Sequence, residues 1–356
     1  MAFSVGIFFR LTQEDKMSNY DTLSCLIIGC GNIAGGFDSD GKSGQFPLTH
    51  AGAYKQHGGF NFVACVDPNP EVRNVFMRHW HVKEGHESMD ALRQHISTID
   101  VVSVCSPTPF HLSDVRAALG LRPRVIFCEK PLASNPEDAE ALVAECERAS
   151  VPLIVNYNRR WDPSVIQLKQ ELESSAWGHV RSVSGVYTRG VSNNGSHMVD
   201  LLHLLLGPIR LTGVGMPIFD GFECDPSVPL FLQSESGVPV VISCGHACDY
   251  SLFELQIVTE FAVITMEDGG MEWRLRRARD SSIFRNYRSL DSGLERVAGS
   301  LRVAMLAAVD EVWRVARGEH VKSSTGENAL ASIRICYQAK KMSIEKAANG
   351  TLNLEK

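Results

Sequence analysis

The run Leu26-Ile27-Ile28-Gly29-Cys30-Gly31-Asn32-Ile33-Ala34 constrains this chain more than any other feature. An apolar strand leading straight into G-x-G-x-x-A marks a tight turn between a buried parallel strand and a helix. Gly29 permits the turn, Gly31 lets backbone approach a pyrophosphate, and Ala34 keeps the helix close to the strand. The first amides of that helix supply donors and partial positive charge for phosphate oxygens. A strand of this kind is covered on both faces, so the N-terminal half is expected to form an open parallel sheet wound with crossover helices.

The first half keeps that rhythm. Residues 23–28, 60–66, 101–105, 125–128 and 152–156 read as strands, and 111–119 and 136–149 as helices. They define a Rossmann-type, doubly wound domain over 23–158, preceded by an extension over 1–22 in which Met17 is an alternative start. After a helix over 163–172 the pattern changes. Residues 180–188, 238–244 and 252–265 read as antiparallel strands around one helix, 196–206, stopped by Gly207-Pro208. This predicts an α/β second domain over 159–325 with a largely antiparallel sheet. A last helix over 326–342, within a segment 326–346, is expected to return to the first domain. Two domains suit a chain of 356 residues on a prior of about 150 per domain.

Composition excludes several classes. A net charge of −6 with no long basic tract argues against a nucleic-acid partner. No apolar run approaches the ~18 residues of a membrane span, and residues 1–9 lack the charged start and cleavage site of a signal peptide. Cys25, Cys65, Cys105 and Cys128 lie in or beside strand-like runs, where thiols pack as small hydrophobes. A reduced, cytoplasmic protein is the resulting expectation. Cys244, His246 and Cys248 alternate along an expected strand, which would put them on one face with or without a metal. Their spacing is not a usual zinc pattern, so no metal is predicted.

The second strand ends in Asp67, where a carboxylate accepts both adenosine ribose hydroxyls and repels a 2′-phosphate. NAD is therefore expected over NADP. Asp67 follows Ala34 by 33 positions instead of the usual ~20, and the excess falls in an insertion over 35–49, a cover for the cofactor or substrate, or a surface loop. Ser106, Pro107 and Thr108 follow another strand, with His111 at the next helix start; they border the nicotinamide side of a dinucleotide, or Thr108 caps the helix. Cys128-Glu129-Lys130-Pro131-Leu132-Ala133 is a further strand-to-helix loop, at the sheet edge where ligands bind. Pro131 restricts Lys130, so the ammonium is aimed.

Together, Gly29 to Ala34, Asp67, Cys105 to Thr108 with His111, and Glu129-Lys130-Pro131 resemble the Gfo/Idh/MocA oxidoreductase family. Asn156 to Trp161 and Gly195 to Asp200 extend the resemblance over most of the chain from Leu23 to Met342. It implies NAD bound by Gly29, Gly31, Asn32, Ile33, Ala34, Asp67, Ser106, Pro107, Thr108, His111, Glu129 and Lys130. It also implies homodimers or homotetramers, with sugars, nucleotide sugars or cyclitols as substrates. Lys130 takes the family's hydrogen-bonding lysine role and His197 its acid/base role, which suits an imidazole near neutrality. Arg160 and Trp161 resemble substrate-edge residues, and Asn193, Asn194 and His197 are expected to bind substrate with them, an amide holding a sugar hydroxyl or orienting His197. Many members carry aspartate where this chain has Asn193, and an amide cannot act as a base. Asp200, one turn after His197, could pair with it or with an arginine. Arg274, Arg276, Arg277 and Arg279 form the densest positive run, either a phosphate site or a solvated strand face. The expected function is hydride transfer between NAD and a secondary alcohol or ketone. The alternatives are glycoside cleavage through transient oxidation and a non-catalytic NAD sensor.

Overall fold

A computed structural model describes residues 22–39, 45–221 and 224–354. The extension before residue 22, the alternative start at Met17 and residues 40–44 of the insertion lie outside the described residues. The first sheet holds β1 (Leu23–Ile28), β2 (Phe60–Val66), β3 (Glu84–His86), β4 (Val101–Val104), β5 (Val125–Cys128) and β6 (Leu153–Val155). All pairs are parallel, in the order β3-β2-β1-β4-β5-β6. Every residue of β4, β5 and β6 is buried, because helices cover both faces and leave no polar side to alternate with. Those helices include α1 (His50–His57), α2 (Pro70–Trp80), α3 (Met89–Arg93), α4 (His111–Leu119) and α5 (Pro136–Arg148). Asn69 and Asn135 cap α2 and α5, each followed by a proline that forgoes an amide the first turn cannot use. Strand order reverses between β1 and β4, which opens a crevice at the carboxyl ends of these strands.

After α6 (Pro163–Glu173) the second sheet begins. It comprises β7 (Val180–Tyr187), β8 (Ile209–Val214), β9 (Leu230–Ser234), β10 (Pro239–Cys244), β11 (Phe253–Thr259), β12 (Ala262–Glu267), β13 (Glu272–Asp280), β14 (Arg288–Leu290) and β15 (Glu295–Ala298). Only β7 and β10 pair in parallel; the other pairs are antiparallel. β11 alternates buried and half-buried residues, with one face on a core that α7 (Ser196–Leu206) covers. The single strand expected over 252–265 is two strands, turned at Glu260 and Phe261 with Thr259 Oγ1 accepting from the Ala262 amide at 3.0 Å. No glycine or proline marks that turn, and alternation runs through it. Cys244 ends β10, so His246 and Cys248 lie beyond the strand; among the described residues no group of three or more His, Cys, Asp or Glu could hold a metal ion. No helix among the described residues is long and apolar enough to cross a membrane.

Two late helices depart from expectation. The segment read as the end of the second domain contains α8 (Ala304–Ala316), which packs on the first sheet: Met305, Val309 and Val312 share a core with Ile27, Tyr54 and Phe127. The helix α9 (Gly326–Leu354) is longer than predicted and serves both cores. Ala329, Leu330 and Ile333 pack with the first sheet's core, and Ile335, Cys336 and Ala339 with the second's. Glu311 on α8 ties this arrangement together. Its buried carboxylate accepts from Trp161 Nε1 at 2.8 Å and from the Lys322 and Ser323 amides at 2.7 and 3.0 Å. Glu311→Ala leaves three donors without that acceptor, and should lower stability by about 3 kcal/mol or more, read as a fall in Tm, with Glu311→Gln losing less.

Candidate active site

The glycine turn is shaped by its neighbours. Gly29 has φ +85°, and a Cβ there would stand 2.5 Å from the Ser106 amide nitrogen, so the loops after β1 and β4 touch only because Gly29 has no side chain. Gly31 differs: it is exposed, and a Cβ would meet nothing within 4 Å. That bare backbone is a surface a pyrophosphate could approach. The regular helix expected at once after this turn does not follow. One turn forms, with the Gly35 and Gly36 amides donating to Gly31 O, and then the chain departs. The Ile33 and Ala34 carbonyls instead accept from the amides of His50 and Ala51, at 3.2 and 2.9 Å, the start of α1. His50 thus stands where residue 37 would in an uninterrupted helix, and the excursion spans about thirteen positions. Without it the Ala34–Asp67 spacing becomes the usual ~20. Asp38 closes the base of the excursion by accepting from Thr49 N and Oγ1 at 2.9 and 2.6 Å.

An unbroken chain of contacts runs from the end of β2 to the second sheet's domain. Asp67, half-buried, accepts from the Cys30 amide and the Asn69 amide, both at 2.8 Å, which locks the glycine turn to β2. Gly29 meets Ser106, whose hydroxyl donates to Asp114 at 2.5 Å. His111 is buried, with Nε2 at 2.8 Å from Ser106 O and Nδ1 at 2.9 Å from Pro131 O. Both partners are backbone carbonyl oxygens, one from each loop. His111 therefore cross-links the two loops from inside, while Pro107 is exposed beside the half-buried Thr108. No Thr108 side-chain cap exists on the short 3-10 turn or on α4, so the capping alternative does not hold.

Lys130, joined to Pro131 by a cis peptide bond, donates from Nζ to Asn193 Oδ1 at 2.6 Å. Asn193 lies in a π-helical turn, Gly190–Gly195, that leads into α7. Asp225 holds that turn by accepting from the Ser192 and Asn193 amides at 3.0 Å. Burial holds the Lys130 pKa below that of a free ammonium, with Arg159 and Arg189 adding to the fall and Glu129 and Asp225 opposing it. His197, in the first turn of α7, packs edge-on against the Tyr157 ring at 5.4 Å. Burial, then the charges of Lys130 and Arg159, press its pKa well below the usual 6.5, so the imidazole is neutral and able to accept a proton. Asn194 is half-buried in the same turn.

Arg160 and Trp161, expected at a substrate edge, are both buried and held by protein partners. Arg160 is buried, its Nε at 2.9 Å from both carboxylate oxygens of Asp200 and its NH1 on Ser323 O at 3.2 Å. Asp200 is thereby committed to an arginine and not to His197, and burial pushes its pKa up to about 6. Trp161 is spent on Glu311. Their neighbour Arg159 comes closer to the site: its Nε donates to Gly269 O at 3.1 Å, its guanidinium lies 3.8 Å from the Phe253 ring centroid, and burial lowers its pKa to about 10. The arginine run on β13 is paired on both faces of the strand. Arg274, Arg277 and Arg279 meet Glu267, Glu295 and Asp291, and Arg276 meets Asp291 O. Sequence reasoning missed His50, Ser103, Tyr54 and Asp225, none of which stands in a spaced motif.

The bare Gly31 backbone, the Asp67 carboxylate at the end of β2 and the open edge at Thr108 fit a dinucleotide laid across the crevice. The oxidoreductase family with an NAD-binding Rossmann fold, GFO_IDH_MocA, matches residues 23–157. Residues 23–157, the domain of the first sheet, belong to this family. It is 28% identical over 255 residues to a D-apiose dehydrogenase of Paraburkholderia graminis, covering 67% of this chain and 66% of that protein. It is 24% identical over 229 residues to an inositol 2-dehydrogenase of Rhizobium meliloti, covering 58% and 68%. The chain thus spans about two thirds of the length of these relatives. The WlbA dehydrogenase from Bordetella pertussis, solved with NADH and UDP-GlcNAcA, superposes with a TM-score of 0.72 at 18% identity over 91% of this chain and 97% of that one, which establishes the shared fold.

The Asn193 amide leaves the Lys130 ammonium without an anion at its contact atom. Asn193→Asp should raise the Lys130 pKa by about one unit or more. The pH dependence of Lys130 modification by an amine-reactive reagent, followed by mass spectrometry, reads that shift as an upward move of its midpoint.

Proposed function

We propose that this chain is an NAD-dependent oxidoreductase that moves a hydride between nicotinamide and a secondary alcohol or ketone of a sugar or cyclitol. One observation carries the reading: Asn193 Oδ1, in the turn that leads into the helix of His197, holds the Lys130 ammonium at 2.6 Å, and the charge of Lys130 adds to the burial that depresses the His197 pKa. The dehydrogenase relatives named above support the substrate class. NAD supplies the hydride acceptor when bound. Lys130 donates a hydrogen bond to the reacting oxygen and stabilises its alkoxide character. His197, kept neutral, takes the hydroxyl proton in oxidation and returns it in reduction. Asp67 binds the adenosine ribose, the Gly31 turn the pyrophosphate, and Thr108 with the loop before His111 borders the nicotinamide.

Finer points belong to the same proposal. Among the described residues every cysteine is a free thiol and most are buried, which supports a reduced, cytoplasmic setting. Phe231 and Val241 pair across β9 and β10 yet are exposed, an apolar strip that supports a homodimer or homotetramer through the open sheet face.

A panel of sugars, cyclitols and nucleotide sugars, scored by nicotinamide absorbance with NAD and NADP separately, should show turnover and a preference for NAD. Lys130→Met should remove that turnover and leave the NAD dissociation constant within about twofold, since it deletes a contact made to the reacting oxygen. Retained turnover refutes the role; NAD binding without turnover points to a sensor, and sugar release without net NADH to oxidative glycoside cleavage. The sign of the His197 shift sets a second test. A base with a depressed pKa stays deprotonated as pH falls, so the acid limb of kcat/KM in oxidation should lie below about pH 6.5. His197→Asn should cost about 100-fold in kcat/KM.

A further inference from the structure

Glu129 precedes Lys130 as a buried carboxylate at the end of β5, 8% exposed. Its Oε1 accepts from Asn156 Nδ2 at 2.7 Å and sits 2.9 Å from His50 Nε2. Its Oε2 accepts from the Lys130 amide at 3.3 Å. His50 is fully buried; its Nδ1 lies 3.2 Å from Ser103 Oγ on β4, and Ser103 Oγ lies 2.7 Å from the buried Tyr54 hydroxyl on α1. With a neutral ring one proton arrangement satisfies every member. Tyr54 donates to Ser103, Ser103 to Nδ1, and Nε2 to the carboxylate, which can only accept. The His50 backbone is held as firmly as its ring, because its amide bonds the Ile33 carbonyl of the glycine turn. Phe127 packs on the ring at 4.5 Å. His50 thus touches the phosphate turn through its backbone and the Glu-Lys-Pro loop through its side chain.

We propose that His50 is a positioning residue: its hydrogen bond to Glu129 fixes the Glu129–Lys130 loop, and so the aim of the Lys130 ammonium, against the helix start that carries the glycine turn. The consequence for turnover rests on the hydride-transfer reading above; the consequence for Lys130 does not. Removing the imidazole leaves the buried carboxylate short of a donor. The carboxylate then turns toward water or toward Lys130, and the loop opens.

The test uses the full chain carrying His50→Leu or His50→Gln, the glutamine keeping a donor near the Nε2 position. The rate of Lys130 modification by an amine-reactive reagent at fixed pH should rise about tenfold in His50→Leu and return to within about threefold of the parent in His50→Gln. Lys322, exposed on the surface, should not change in either. In the turnover assay His50→Leu should lose about tenfold in kcat while the NAD dissociation constant moves less than about twofold. Unchanged Lys130 modification in His50→Leu, or a glutamine variant as reactive as the leucine one, overturns the proposal. Should His50→Leu lose its cooperative thermal transition, Ser103→Ala decides: it keeps the imidazole and removes the partner that Nδ1 shares with the Tyr54 hydroxyl, and must raise Lys130 modification by about threefold or the proposal fails. If the parent protein turns over nothing in the panel, the modification arm still tests His50 while the hydride-transfer reading fails separately.

Discussion

Glu129 is a charge buried at the end of a parallel strand, and protein groups must do for it what water does at a surface. Burial alone would raise its pKa; the donors from His50 and Asn156 outweigh that and hold it below the usual carboxylate range. Those donors come from α1 and from the chain after β6, so satisfying one carboxylate brings together three segments far apart in sequence. The loop that follows inherits their rigidity. Its Pro131 carbonyl meets His111, and its Lys130 side chain crosses to Asn193. The edge of the first sheet and the π-helical turn before α7 are joined through this one loop.

Two other buried carboxylates do comparable work farther from the crevice. Asp200 takes Arg160, and Glu311 takes Trp161 with two backbone amides. The Arg159-Arg160-Trp161 segment therefore divides its labour residue by residue. Arg160 and Trp161 clamp the short 3-10 turn to α7 and α8, and Arg159 reaches the side where Lys130 and His197 lie. Two of the segment's three residues are thus anchored within the protein. The strip from β6 to α6 holds its place because both of these anchors are charge-assisted and dry.

The insertion shows how a departure in sequence can leave a fold unchanged. Hydrogen bonding treats residues 33 and 34 as if 50 and 51 followed a turn later, so α1 resumes where it would have continued. The excursion costs loop-closure entropy, which grows slowly with length, and Asp38 offsets part of it with bonds to Leu48 and Thr49. Spacing along the chain is then a poor guide, although the geometry at Asp67 is intact.

The sequence by itself determined the parallel sheet, the glycine turn, the strand ends that carry Asp67, Ser106 and Lys130, and the helix that begins near His197. Each is written in local terms: apolar runs buried on both faces, a glycine at positive φ, caps and prolines at helix starts. Tertiary structure decided the rest. Only packing could pair Lys130 with Asn193, commit Asp200 to Arg160 and not His197, place α8 on the first sheet, and bury His50 against Glu129. These partners stand 40 to 79 positions apart, beyond the reach of any periodicity. What selects them is the requirement that every charge taken out of water find a donor or acceptor inside the protein.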